Sequence, residues 1–397
     1  MEYVPFLKQR YKENDITEKY TRVFTDPDTI HLNFKIHDYP AFIVPCGELY
    51  KNLLAIYKIR KDVCLLRTSL PEAAVSQFAR KCLIDEIVLT NDIEGVSSTR
   101  REIGDVLDQI EGKKSLRFRG LVNKYRKLQE NETVPITCCE DIRALYDEIV
   151  LDEVIEENEK NAPDGKIFRK ESVSVESITG KEIHRGVYPE QAIIGAMGNA
   201  LYFLNNDAAE PLIRIAGFHY LFGYIHPFYD GNGRTSRFIS SYLLSKELDP
   251  LIGYRLSYTI KGHINDYYSA FKICNDNRNM GDITPFIITF FEILLEAMEQ
   301  LKNALQERYE QLKYYDKAIR NNPVLGTEKN YPLSFLLLQA SLFSEDGITV
   351  KELTGMLEIS RTTLKDRLEE LGNRYVLSHK EGRIIYYKLN PEPLQNT

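Results

Sequence analysis

The string His226-Pro227-Phe228-Tyr229-Asp230-Gly231-Asn232-Gly233-Arg234-Thr235-Ser236-Arg237 constrains this chain of 397 residues more than any other stretch. Residues 211–224, just before it, are apolar with small residues interspersed and predict a buried helix. Residues 234–246, just after it, predict a second helix carrying Phe238, Ile239, Tyr242, Leu243 and Leu244. His226-Pro227 ends the first helix, because proline disfavours helical backbone at the residue before it. Gly231-Asn232-Gly233 then falls where the next helix begins. Several main-chain N–H groups and the positive end of a helix dipole converge there, which makes an anion site. Arg234 and Arg237 share one helix face. Any one of these features alone would be an ordinary helix-to-helix turn. Together they bring an imidazole, a carboxylate suited to a hard cation, a nest of amides and two guanidinium groups to one place. Such a set suits phosphoryl or nucleotidyl transfer, where positioning and charge stabilisation dominate.

The complete string resembles the signature of the Fic family, His-Pro-Phe-x-Asp/Glu-Gly-Asn-Gly-Arg-x-x-Arg, at every fixed position. A second string, Thr90-Asn91-Asp92-Ile93-Glu94-Gly95, resembles the family's inhibitory motif, Ser/Thr-x-x-x-Glu-Gly/Asn. It closes a helix expected over about 71–95, opened by Pro71 and Glu72 in its first turn. Glu94 there lies at the negative end of the helix dipole, a poor place for a carboxylate unless a cation answers it. A solvated helix-end Glu followed by a Gly cap is the plainer reading of the same residues.

The resemblance implies a protein adenylyltransferase that moves AMP from ATP to a Ser, Thr or Tyr hydroxyl of a target protein. His226 would be the general base, for which an imidazole pKa near the ordinary value of about 6.5 is suited at neutral pH. Asp230 would hold Mg²⁺, the amides of Gly231, Asn232 and Gly233 and the Asn232 side chain the α-phosphate, Arg234 the β-phosphate and Arg237 the γ-phosphate. Glu94 would pair with Arg237 and deny the γ-phosphate its partner. Asn265 and Tyr268, in a helix expected over 261–275, would approach the adenine, although tyrosine pairs also serve as packing. Residues 166–187 alternate like a hairpin broken by Thr179-Gly180, and family flaps at this place bind a target by strand addition. Lys166, Ile167 and Phe168 would begin that flap; the alternative is a structural surface hairpin. Glu94 could also orient water to remove AMP, so a deAMPylase or an enzyme running both ways is the alternative chemistry.

The expected fold is mainly α: a Fic-type helical core with a β-hairpin flap, followed by a small α+β winged-helix domain. The expected divisions are an N-terminal extension over 1–65, the Fic domain over 66–319, a linker over 320–332 and a winged helix-turn-helix over 333–390. Thr137-Cys138-Cys139-Glu140 reads as a capping box, and the acidic residues 153–160 with Asn161-Ala162-Pro163-Asp164-Gly165 read as a loop or lid. In the last domain Arg361, Thr362, Lys365 and Arg367 would lie on the recognition helix. A regulator that senses nucleotide and binds DNA is thus the reading from another class. DNA binding is open but not favoured, since eight cations are balanced by eight acids over 341–390 and the whole chain carries −7. A homodimer is left open. The six cysteines show no metal spacing, and the most apolar run, 286–295, is cut by Glu292. A cytoplasmic protein without membrane contact is the expectation.

Overall fold

The computed structural model describes residues 3–9, 16–108, 117–130, 132–176, 182–206, 208–381 and 384–395. Helices dominate, and the described strands form three small antiparallel sheets: Ile30–Ile36 with Tyr39–Ile43, Ser174–Glu176 with Glu182–Arg185, and Val376–Glu381 and Ile348–Thr349 on either side of Ile384–Leu389. The mainly helical expectation holds. No helix among the described residues is long and apolar enough to cross a membrane.

The chain divides into two compact units, residues 1–60 with 84–298 and residues 61–83 with 299–397. This differs from the boundaries expected near 65 and 320. The helices Gly47–Thr68, Glu72–Ile93 and Thr284–Asn321 each continue past a division point. Apolar patterning marks a continuous helix but not a change in the core it packs into. Phe78 shows the consequence, with its ring centroid 6.4 Å from Phe343 in the second unit. In that unit the expected linker is a pinned turn: Asn322 accepts from Val324 and Leu325 at 2.9 and 3.0 Å, and buried Asn330 donates to Val324 and Glu370 at 3.1 and 3.0 Å. Helices Tyr331–Phe343, Val350–Leu357 and Arg361–Leu371 follow, and the turn expected at Gly382 lies outside the described residues.

The first unit is built around helix Pro211–Ile225, buried along nearly its whole length and packed between Glu190–Asn206 and Asn232–Glu247. Pro211 at its first turn and the Glu210 carboxylate, accepting from Leu212 and Ile213 at 2.8 and 3.2 Å, open it. Close neighbours explain its small residues: a Cβ on Gly217 would lie 2.6 Å from the Phe203 ring. Buried His219 is held by Ser240 and Tyr267, each at 2.7 Å, and burial pushes its pKa down to about 3. It is a neutral packing histidine.

The segment 138–161 corrects two expectations. Its helix is capped one residue later than expected, by Cys138 with Asp141 rather than by Thr137 with Glu140. The acidic run is not an open loop: a π-turn at Asp147–Leu151 leads into helix Asp152–Glu157, and Glu153 turns inward.

Candidate active site

His226 terminates the helix Pro211–Ile225 in left-handed backbone, φ 51°, with its N–H on Phe222 at 2.9 Å. Phe228 is fully buried, stacked on Tyr146 at 3.6 Å between centroids and met edge-on by Phe168 at 5.5 Å. Asn232 closes the loop. Its side chain accepts from Phe228 N–H at 3.0 Å and donates to Phe228 O at 2.8 Å. That amide is therefore occupied with the main chain, and what Asn232 presents to the anion site is its backbone N–H. Gly231, at φ +74°, turns the chain into helix Asn232–Glu247; a Cβ there would also lie 2.8 Å from Val150.

At the start of that helix lies a carboxylate. Arg237, 1% exposed, donates from Nη2 to Glu94 Oε1 at 2.8 Å and to Thr90 O at 3.0 Å, and from Nε to Thr90 Oγ1 at 2.8 Å. A Cβ on Gly233 would lie 2.1 Å from Glu94 Oε1, so the glycine admits the carboxylate over the helix N-terminus. Glu94 reaches it because helix Glu72–Ile93 ends one residue earlier and Gly95, at φ +75°, turns the chain away. Gly95→Ala should lower unfolding stability by about 1 kcal/mol, read from denaturant unfolding, since an alanine is strained in left-handed backbone. Glu86, two turns earlier, is wholly buried and accepts from Ser257 N–H and Oγ and from Ser241 Oγ. Burial pushes its carboxyl up. No motif signalled it.

The other arginine is also engaged: Arg234 Nη1 donates to Glu153 at 2.7 Å. Asp230, half-buried, accepts from Gly231 N–H at 2.5 Å through Oδ1, and its second oxygen has no partner among the described residues. A hard oxygen without a partner beside main-chain N–H groups is a donor type that could hold a divalent cation such as magnesium.

The environment of His226 differs from the expected one. Burial first, then the Arg169 cation, push its pKa down to about 4 instead of leaving it near 6.5. Arg169 is wholly buried and clamps the loop: Nε donates to His226 O at 2.9 Å, Nη1 to Glu171 O at 2.6 Å and Nη2 to Val187 O at 2.8 Å. Gly186 makes room, since a Cβ there would meet Arg169 Nη2 at 2.5 Å. Arg169 was not singled out in the sequence; its partners are main-chain oxygens, which leave no side-chain pattern.

The expected flap residues are placed otherwise. Ile167 and Phe168 are buried, with both N–H groups on Glu190 Oε1 at 2.7 and 3.0 Å, and only Lys166 among the three is exposed. The hairpin itself is Ser174–Glu176 with Glu182–Arg185, and its expected turn at Thr179-Gly180 lies outside the described residues. In the helix Ile264–Asn275, Asn265 is exposed and Tyr268 is 39% exposed. Burial, then the Glu94 charge, raise the Tyr268 hydroxyl pKa, which puts it near the Glu94–Arg237 pair.

These features define a class: a mainly helical protein with a glycine-turned loop-to-helix junction and two buried arginines, each paired with a carboxylate. Residues 136–244 match the Fic/DOC family, so the chain carries a Fic domain over that stretch. It is 37% identical over 83 residues to the protein adenylyltransferase Fic of Drosophila yakuba, an overlap of 21% of this chain and 15% of that one. To the protein adenylyltransferase Fic of Aedes aegypti it is 39% identical over 88 residues, 21% and 16% of the two chains. The chain thus spans only a small part of the length of the curated relatives it matches. Among solved structures it is similar to a Fic family protein from Desulfovibrio desulfuricans G20, with a TM-score of 0.51 over 87% of this chain and 96% of that one. At 19% identity that likeness is one of fold.

Proposed function

We propose that this protein transfers AMP from ATP to a hydroxyl of a target protein and that Glu94 holds the reaction off. The observation that carries the reading is the Glu94–Arg237 pair at 2.8 Å across the N-terminus of the helix that follows the His226–Gly231 loop. Sequence similarity to proteins named adenylyltransferases supports the chemistry.

His226 takes the proton of the acceptor hydroxyl. With its pKa near 4 it is neutral, and so able to accept, at every ordinary pH. The hydroxyl oxygen then attacks the α-phosphorus, and the bond to the bridging oxygen of pyrophosphate breaks. Backbone N–H groups of Asn232 and Gly233 face the α-phosphate, that of Gly231 being held on the Asp230 carboxylate, with Arg234 facing the β-phosphate and Arg237 the γ-phosphate. Asp230 would hold Mg²⁺, which supplies charge neutralisation on the phosphates when bound. Tyr268 and Asn265 border the adenine. Glu94 competes with the γ-phosphate for Arg237, and both cannot occupy it.

With α-phosphate-labelled ATP, Mg²⁺ and lysate proteins, Glu94→Gly should incorporate about 10–100-fold more label than wild type, the range of a single released coupling. Equal labelling by the two would remove the inhibitory role. Label that never attaches would remove the transferase. The carboxylate beside the site also supports a second reading, removal of AMP, seen as loss of label from modified protein when the wild type is added.

A further inference from the structure

Arg237 and Arg234 are both buried to 1% exposure, yet they are satisfied very differently. Arg237 has Thr90 and Glu94 on two of its nitrogens. Among the described residues Arg234 donates to Glu153 alone, and its buried Nε has no partner. A guanidinium carries five donors in a fixed fork, so this one is short of acceptors where a phosphate would supply several.

Glu153 is itself held in place. Its side chain is only 12% exposed, Arg117 adds a second positive charge nearby and the Phe118 N–H donates to it. Phe118 adopts φ 64° to open the helix Arg119–Gln129, a costly conformation for a bulky side chain. The π-turn at Asp147–Leu151 immediately precedes the helix bearing Glu153, and such turns recur at functional sites. Burial pushes the Glu153 carboxyl up against the pull of Arg234, so this ion pair is held at a cost.

We propose that Glu153 is a specificity-determining residue of the nucleotide site: its carboxylate takes the place of the β-phosphate on Arg234, so ATP must displace Glu153 as well as Glu94. The inference rests on the transferase reading, in which Arg234 serves the β-phosphate. The closed site then discriminates between nucleotides by their β-phosphate. AMP enters without touching the Glu153–Arg234 pair, ADP must break it, and ATP must break it and the Glu94–Arg237 pair.

Calorimetric titration of the full chain with AMP, ADP and ATP, each with Mg²⁺, tests this in Glu94→Gly and Glu94→Gly/Glu153→Gln. The glutamine keeps the shape and removes the charge. The expected result is roughly tenfold tighter ADP and ATP in the double variant, with AMP changed by less than about twofold. Unchanged AMP affinity also reports that the site is still folded. Weaker ADP would make Glu153 a positioning residue for Arg234 and overturn the proposal. Unchanged ADP, or AMP tightened as much as ADP, would overturn it too. If Glu94→Gly binds ATP while ADP ignores Glu153→Gln, this inference falls and the transferase reading stands; if neither variant binds any nucleotide, both fall.

Discussion

On the proposed function, removing the imidazole from the Glu94→Gly protein, as Glu94→Gly/His226→Ala, is expected to lower AMP labelling by about 10²–10⁴-fold relative to Glu94→Gly, the usual worth of a positioned general base. The binding groups remain in this variant. ATP affinity is therefore expected to stay within a few-fold while the rate collapses, which separates loss of the base from loss of the site. Labelling that survives the substitution would remove His226 from the chemistry. The pH dependence is part of the same expectation. His226 is held at about 4 by burial and by Arg169, below its unfolded value of about 6.5. Between those values the unfolded chain binds a proton that the folded chain does not. The contribution of His226 to stability therefore rises with pH across that window and is lost as pH falls through it. The ring signal absent from the His226→Ala spectrum should titrate near 4 by NMR.

Arg169→Met is expected to destabilise the protein by about 3 kcal/mol, read from denaturant unfolding, because a buried acceptor left unpaired costs about 1–3 kcal/mol. The carbonyls of His226, Glu171 and Val187 all lose a donor at once. Methionine fills most of the volume, so the loss reports hydrogen bonds and charge more than a cavity. The substitution also removes the cation that helps to lower the His226 pKa. Its pKa should rise from about 4 yet stay below the ordinary value, because burial is the larger cause. A His226 titration that does not move, together with wild-type stability, would show that the Arg169 clamp is incidental. Arg169 joins residues 169–171 and 187 to the 225–226 carbonyls, so a disturbance of the segment beside the hairpin reaches His226 through main-chain bonds.

Much of this was legible in the chain because it is local. The helix break at His226-Pro227, the turn at Gly231 and the face shared by Arg234 and Arg237 follow from backbone sterics and helical period within a dozen residues. Where the partner is remote, local rules are silent. The acidic residues 153–160 read as part of a loop or lid, and only the fold brings Glu153 to Arg234, 81 positions away. Ile167 and Phe168 read as the start of an exposed hairpin, but Glu190 takes their N–H groups and Phe228 covers the Phe168 ring.

The sequence by itself determined the glycine turn into a helix, the two arginines and a carboxylate at a helix end, since residue type and spacing suffice for these. Tertiary structure decided which charges meet, how far His226 is pushed from its ordinary pKa and which hydrogen bonds hold the loop. Those depend on burial and on distances of a few ångströms between distant segments, and Coulomb and hydrogen-bond energies are set by such distances and by the local dielectric.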